Sequence, residues 1–353
     1  MAAGDFTASE LLNIQMKAEQ MWTDGILAKS NDPMAQSAIA VLENQTARFR
    51  EFENRNKDNT IEVTFINTCD LDTDDCEDNC DLDEPQVESG SKEYEPDLCQ
   101  KTGFSVDEET SRTNIYSVEE VAAQSLATAI GKLDEWWARQ VLARLSTFSG
   151  VNVYPQPWEY NNTDKTTEVP EDEYNLSMVA NLLLQAQMNR LGTPYYIGDG
   201  SLAAEIINAQ LNAGNLDGKG DAARISQLNL YQDMYNFARA GLDENLFAIS
   251  PGAIAFKTTN RNPDTPRVLG GQIQQTIYTV NSRVLQGVKY DVYYTLKCVS
   301  GEGTSRARYV HVWRIETNGG IWLNPEACPV TIDVDDTPTT VSPTGILSYT
   351  KVA

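Results

Sequence analysis

The alternation of apolar and polar positions changes its period several times along the chain. Leu11, Leu12, Ile14, Met16, Met21 and Trp22 form an imperfect apolar stripe behind Ser9, which predicts a capped amphipathic helix over residues 8–30. Residues 34–55 predict a second helix, running through Ile39, Val41 and Leu42 into a polar end. Such helices have few large apolar groups and need another surface to pack on. Ile61, Val63 and Phe65 then alternate with Glu62 and Thr64, the period of a half-exposed strand, and Thr113–Tyr116 supplies a returning strand. A long hairpin of two strands is marginal alone and must also lie against something.

The clearest helix begins at Ser117-Val118-Glu119-Glu120, a capping box in which Ser117 and Glu120 satisfy the first free amides. From Val121 it runs to about Phe148 with no proline, and Gly150 is its predicted stop. Trp136 and Trp137 lie near its middle, so one is expected to face the later β-rich segment and the other a different layer or a neighbour. A Pro- and Asn-rich connection follows. Helices are then predicted at 175–191, 202–211 and 225–240, with a short strand at Pro194–Gly198. From residue 246 the pattern is β-rich, with strands at 246–257, 273–280, 290–299 and 308–315 and a short one at 321–323. Asp335 to Pro343 has the composition of a linker or arm.

Composition sharpens this outline. With 353 residues, 41% apolar and 22% charged, the chain is long enough for two domains with real cores. No apolar run is long enough to span a bilayer, and Met1–Phe6 has neither the basic start nor the apolar core of an export signal. The net charge of −24 argues against sequence-specific nucleic-acid binding, which needs clustered Arg and Lys. Half of that charge sits in residues 69–99, where thirteen acids face one base, Lys92. Unpaired carboxylates in such number cannot form a core, so the segment is expected to be exposed.

The same segment holds Cys69, Cys76, Cys80 and Cys99, while Cys298 and Cys328 lie far downstream. The spacing is not that of a zinc ribbon or a redox pair; the four are candidates for two disulfides, with the pairing open. Asp70, Asp72 and Asp74 have the opening spacing of an EF-hand and are weak calcium candidates. Asp75 stands where the loop needs glycine and Asp81 where it needs a bidentate glutamate, so a solvated acidic loop is the favoured reading. The single histidine, His311, shares a strand face with Tyr309 and Trp313 and reads as an ordinary strand residue. No Ser/His elbow or phosphate loop accompanies it. No catalytic residue, metal site or cofactor is assigned.

The order of elements resembles the major capsid protein of tailed bacteriophages, the α+β Hong Kong 97-type fold. Tyr196-Ile197-Gly198, Leu242–Phe256 and Tyr309-Val310-His311-Val312-Trp313 look like segments of such coat proteins. The resemblance implies an N-terminal arm at 1–57 and an E-loop hairpin at 58–116, carrying the acidic insertion at 69–99. It further implies a peripheral domain with the spine helix at 117–171, an axial domain at about 172–250, and a β-rich return with a C-terminal arm at 251–353. The implied function is structural, not enzymatic: self-assembly through pentamers and hexamers into an icosahedral shell enclosing DNA without reading its sequence. Scaffold, portal and decoration proteins are the implied partners, with no membrane, and the implied setting is a virion capsid assembled in the host cytoplasm. The rival reading is an extracellular calcium-dependent binding or adhesion protein. A carboxylate-based hydrolase comes third, and would need a deep pocket lined by two isolated acids.

Overall fold

The computed structural model describes residues 6–23, 34–52, 60–66, 89–108, 116–175, 177–212, 228–269, 275–299, 308–324, 330–334, 337–341 and 344–352. In chain order these form α1 (Ala8–Thr23), α2 (Gln36–Asn44), β1 (Arg48–Phe52), β2 (Thr60–Ile66), β3 (Ser89–Tyr94) and β4 (Leu98–Asp107). Then come α3 (Val118–Phe148), β5 (Glu159–Asn161), β6 (Thr166–Pro170), α4 (Met178–Met188), β7 (Tyr195–Gly198), α5 (Ser201–Asn212), β8 (Asn229–Gln232) and α6 (Met234–Ala240). The rest is strand: β9 (Leu246–Ile249), β10 (Ile254–Thr259), β11 (Arg267–Leu269), β12 (Gln275–Asn281), β13 (Lys289–Val299), β14 (Arg308–Leu323), β15 (Val330–Val334), β16 (Thr337–Val341) and β17 (Ile346–Val352). The fold is of mixed α+β class.

The chain divides into two compact units, each assembled from three separate stretches. The first comprises 1–35, 96–137 and 257–320, and the second 36–95, 138–256 and 321–353. The first is organised by an antiparallel sheet in the order β10-β14-β13-β12-β11, with β4 paired to β14. Val310 lies opposite Asp107 and Gly319 opposite Leu98. The first twenty residues of α3 belong to this unit and bury Ala122, Ala123, Leu126, Ile130, Leu133 and Trp137. The capping box at the start of α3 forms as the sequence predicts. The Ser117 amide donates to Glu120 Oε2 at 2.8 Å and the Glu120 amide to Ser117 Oγ at 3.2 Å. The Ser117 amide, and then its hydroxyl, hold the Glu120 carboxyl below its ordinary range.

The second unit is built on a mixed sheet in the order β5-β6-β17-β9-β7-β8. β17 lies parallel to β6 and antiparallel to β9, and β7 lies parallel to β8. Its core gathers Met178, Leu182 and Ala186 of α4 with Tyr196, Leu246, Ala248, Leu347 and Tyr349 of the sheet. No helix among the described residues is long and apolar enough to cross a membrane.

Several elements depart from the sequence reading. Thr7, not Ser9, closes the first turn of α1: its amide donates to Glu10 Oε2 at 2.7 Å and its Oγ1 accepts from the Glu10 amide at 3.3 Å. The helix expected over 34–55 stops at Asn44, and Arg48–Phe52 becomes a strand because it can pair with β2, Phe49 opposite Val63 and Glu51 opposite Ile61. β2 finds its other partner in β3, with Val63 opposite Lys92, rather than in Thr113–Tyr116. Residues 113–115 lie outside those described. The helix expected over 225–240 is split by Asp233 into β8 and α6. Residues 335–343 were expected to be a linker or arm. Where described they belong to a hairpin, β15 on β16, and the chain after them places β17 inside the second unit's sheet.

The surfaces expected to lack a partner find one within the chain. Leu11 and Ile14 of α1 and Ala38 and Val41 of α2 are fully buried. Ile61 and Val63 of β2 pack on Ala255 and Trp322, with Tyr94 stacked on the Trp322 ring at 5.3 Å.

The strands expected at 308–315 and 321–323 are one continuous 16-residue strand that runs through Asn318-Gly319-Gly320. Glycine here permits close approach instead of breaking the strand. A Cβ on Gly319 would overlap the Lys257 carbonyl oxygen and crowd Thr258 Cα at 2.9 Å and the Trp137 ring at 3.1 Å. Two of those neighbours are backbone and cannot swing aside. Gly319→Ala is therefore expected to cost about 2–3 kcal/mol in urea unfolding, in the range of overpacked cores. An unchanged midpoint would show that β10 is less closely seated.

Candidate functional site

The most distinctive chemistry of the first unit lies where α3 meets the sheet. Asp134 occupies the apolar face of the helix, one turn from Ile130, and is fully buried. Its Oδ1 accepts hydrogen bonds from Tyr290 on β13 and, at 2.7 Å, from Ser282 just beyond β12. Its Oδ2 has no partner. Burial raises the carboxyl pKa to about 7, against the opposing pull of the two hydroxyl donors, and raises the Tyr290 phenol well above its usual value. One residue along the next turn, Trp137 is wholly buried and donates its indole N–H to Thr317 Oγ1 on β14 at 2.9 Å. Trp136 is half-buried and meets the Trp137 ring edge-on at 4.7 Å. Trp137 faces the β-rich segment, as expected of one of the two tryptophans.

His311 sits in the same sheet and is also buried. Its Nε2 lies 3.1 Å from Glu108 Oε1 and its Nδ1 2.8 Å from Tyr294 Oη. A carboxylate can only accept, so Nε2–H donates to Glu108; in the neutral ring Nδ1 then accepts from the Tyr294 hydroxyl. Tyr294 Oη in turn accepts from the Phe6 amide at 3.1 Å, and the Phe6 ring covers His311 at 4.5 Å between centroids. The chain Phe6–Tyr294–His311–Glu108 thus ties the N-terminal segment to the sheet. With both nitrogens engaged and a phenyl ring overhead, the imidazole is a packed structural group, as read from the strand pattern.

In the second unit, two clusters order the polar groups. Asp233 is buried at the N-terminus of α6. Its Oδ1 accepts from Asn236 Nδ2 at 2.8 Å, and its Oδ2 from the Ser37 amide and hydroxyl at 2.9 and 2.6 Å. One carboxylate therefore caps α6 and holds the start of α2. Asn152, Gln185 and Asn189 form a buried amide network that reaches Thr167 and the Tyr349 hydroxyl.

A cleft of about 340 Å³ in this unit is lined by Asp164, Glu168, Asp243 and Glu244 with Ser146, Thr166 and Thr350. Asn161 Nδ2 donates to Asp164 and Glu168, and Ser146 donates to Glu244, so three of the four acids are hydrogen-bonded rather than isolated. The cleft reads as an acidic surface and not as a paired acid/base site.

The residues singled out in the sequence fall mostly elsewhere. Asp70, Asp72 and Asp74, and Cys69, Cys76 and Cys80, lie outside the described residues. Cys99 is exposed on β4 and Cys298 on β13, each as a free thiol. Among the described residues, no group of His, Cys, Asp and Glu is arranged to hold a metal ion. Sequence reasoning missed Asp134. Its signal was an acid within the apolar stripe between Ile130 and Trp137.

No known protein family's sequence pattern matches the chain. No curated protein matches it. Solved phage structures do. A chain from Mycobacterium phage Bobi is similar over 90% of this chain and 91% of its own, at 10% identity and a TM-score of 0.43. The capsid structure of the cyanophage P-SCSP1u is similar over 83% of each chain, at 7% identity and a TM-score of 0.41. The mature capsid of bacteriophage PhiM1 is similar over 84% of this chain and 83% of its own, at 10% identity and a TM-score of 0.39.

Proposed function

We propose that the chain is the major capsid protein of a tailed bacteriophage, a structural subunit without catalytic activity that assembles into the head shell around DNA. The observation that carries this reading is the 31-residue α3. At roughly 1.5 Å per residue it is a rod of about 45 Å, far longer than a typical globular helix. Buried Asp134 and Trp137 pin it to a sheet whose strands come from both β4 and the late segment β12–β14. A rigid rod-and-sheet frame suits a subunit that must transmit load to neighbours. The net charge of −24 suits a container wall that should not trap packaged DNA.

On this reading α3 is the spine of a peripheral domain at 117–171, and the axial domain lies at about 172–250, which holds β7, β8 and β9 of the second unit's mixed sheet. The E-loop of this reading falls at 58–116; within it β2 and β3 pair antiparallel, while β4 joins β14. Pentamers and hexamers of the chain close the shell, and scaffold, portal and decoration proteins are its further partners in the host cytoplasm. Electron microscopy of the purified protein tests it. Closed shells, or rings of five and six, are expected. A compact monomer that persists at high concentration in sedimentation would overturn it.

A further inference from the structure

We infer that β4 is a self-complementary sheet edge, through which two copies of this chain pair antiparallel across a two-fold axis. Among the described residues β4 is hydrogen-bonded on one side only, to β14. Its ten residues therefore present a row of backbone amides and carbonyls on the other side. An open edge of that length invites another strand, and two copies of one strand related by a two-fold make an isologous contact.

The sequence of β4 favours one register. With Phe104 on the axis, Lys101 of each copy lies opposite Asp107 of the other, Thr102 opposite Val106, and Gly103 opposite Ser105. Two opposite-charge pairs then flank a centre in which the two Phe104 rings meet on the axis between Gly103–Ser105 pairs. Centring on Gly103 instead sets Lys101 against Ser105, and centring between Thr102 and Gly103 sets it against Phe104; neither pairs charges. Lys101 is exposed. Asp107 bonds Arg308 at 3.0 Å, so a partner lysine would join an existing acid–base contact at its outer side.

The surface beside the edge has room for the added strand. Thr102 and Phe104 of β4, with Gln124, Ser125, Thr128 and Lys132 of α3, line a groove of about 290 Å³. The partner's inward-facing side chains would lie along this groove, and by symmetry both grooves would be covered at once. A single pair of strands overlapping over residues 101–107 is smaller than a standard stable interface, so the free dimer is weak and forms at high concentration or within a larger assembly.

The contact is independent of the capsid reading, and the two can fail separately. Sedimentation of the unassembled full-length chain over a concentration series is expected to show dimers. Lys101→Asp, which sets two like charges opposite each other, should weaken them by about tenfold or more. Lys101→Asp/Asp107→Lys, checked for folding by circular dichroism, should recover them. Hydrogen exchange on the wild-type chain is the second measurement: outward-facing amides within 101–107 should gain protection as concentration rises. Unchanged association of Lys101→Asp, or β4 amides whose protection is independent of concentration, would overturn the pairing. Shells seen by microscopy in either of those cases would leave the capsid reading standing. Dimers that depend on β4, in a protein that forms no shells, would overturn the capsid reading alone.

Discussion

Replacing Trp137 by alanine is expected to destabilise the first unit by about 3–5 kcal/mol, the cost of emptying a large aromatic site in a close-packed core. The indole is wholly buried, its N–H serves Thr317, and its ring bears on Gly319. Alanine would lose the burial and leave Thr317 without that donor. Trp136→Ala supplies the comparison. Its ring is half-buried and touches Trp137 edge-on, so its loss should cost about 1–2 kcal/mol. Denaturant unfolding of the unassembled chain, followed by tryptophan fluorescence and circular dichroism, distinguishes the two. Equal effects would mean that α3 does not sit on the sheet by this face.

The second large effect is on the pH dependence of stability. The Asp134 carboxyl is raised from 3.8 to about 7 by burial. Between those values the folded chain holds a proton that the unfolded chain has released. The unfolded state thus binds fewer protons there, and stability falls as pH rises until the folded group has also ionised. Because the chain approaches zero net charge near its pI of 4.3, the useful window begins at about pH 5. From there to pH 8 this group should remove about 3 kcal/mol of stability. Asp134→Asn keeps an oxygen for Tyr290 and Ser282 and cannot ionise. The difference in unfolding free energy between the wild-type chain and Asp134→Asn should change by about 3 kcal/mol across the window, with the variant relatively more stable at pH 8. A difference that stays constant with pH would show that water reaches the carboxyl.

These two residues also mark how far the sequence could be read. The α3 boundaries were legible because the Ser117–Glu120 box and the uninterrupted helical pattern are local signals. β12 and β13 were legible for the same reason, since period-2 runs of Tyr, Val and Ile lie between turn residues. β1 was not, because Arg48–Phe52 looks like the end of a helix until Ile61 and Val63 arrive beside it. β8 and α6 were fused into one helix because the cap that separates them, Asp233, is bonded to Ser37, almost two hundred positions earlier. β14 was cut in two by reading Gly319 and Gly320 as a break, when they mark the close passage of β10 and Trp137. At the α3–sheet junction, Trp137 could be anticipated from helical spacing. The partners of Asp134 could not, since nothing in the spacing indicates that Ser282 and Tyr290 converge on it.

The way each unit draws on three separate stretches has a consequence for biosynthesis. β4 is complete once residue 107 has been made, yet its partner β14 begins at Arg308. Throughout that interval the nascent chain carries α1, β4 and the first twenty residues of α3 with their sheet still untranslated. The apolar face of α3, including Trp137, lacks the strands that Asp134 and Trp137 bond to while the ribosome works through the second unit. Pairings so distant along the chain are slow to form, and they leave hydrophobic surface open to misassociation until they do. Folding of the first unit is therefore a post-translational event gated by the last fifth of the chain. During translation its nascent segments are natural clients for chaperones.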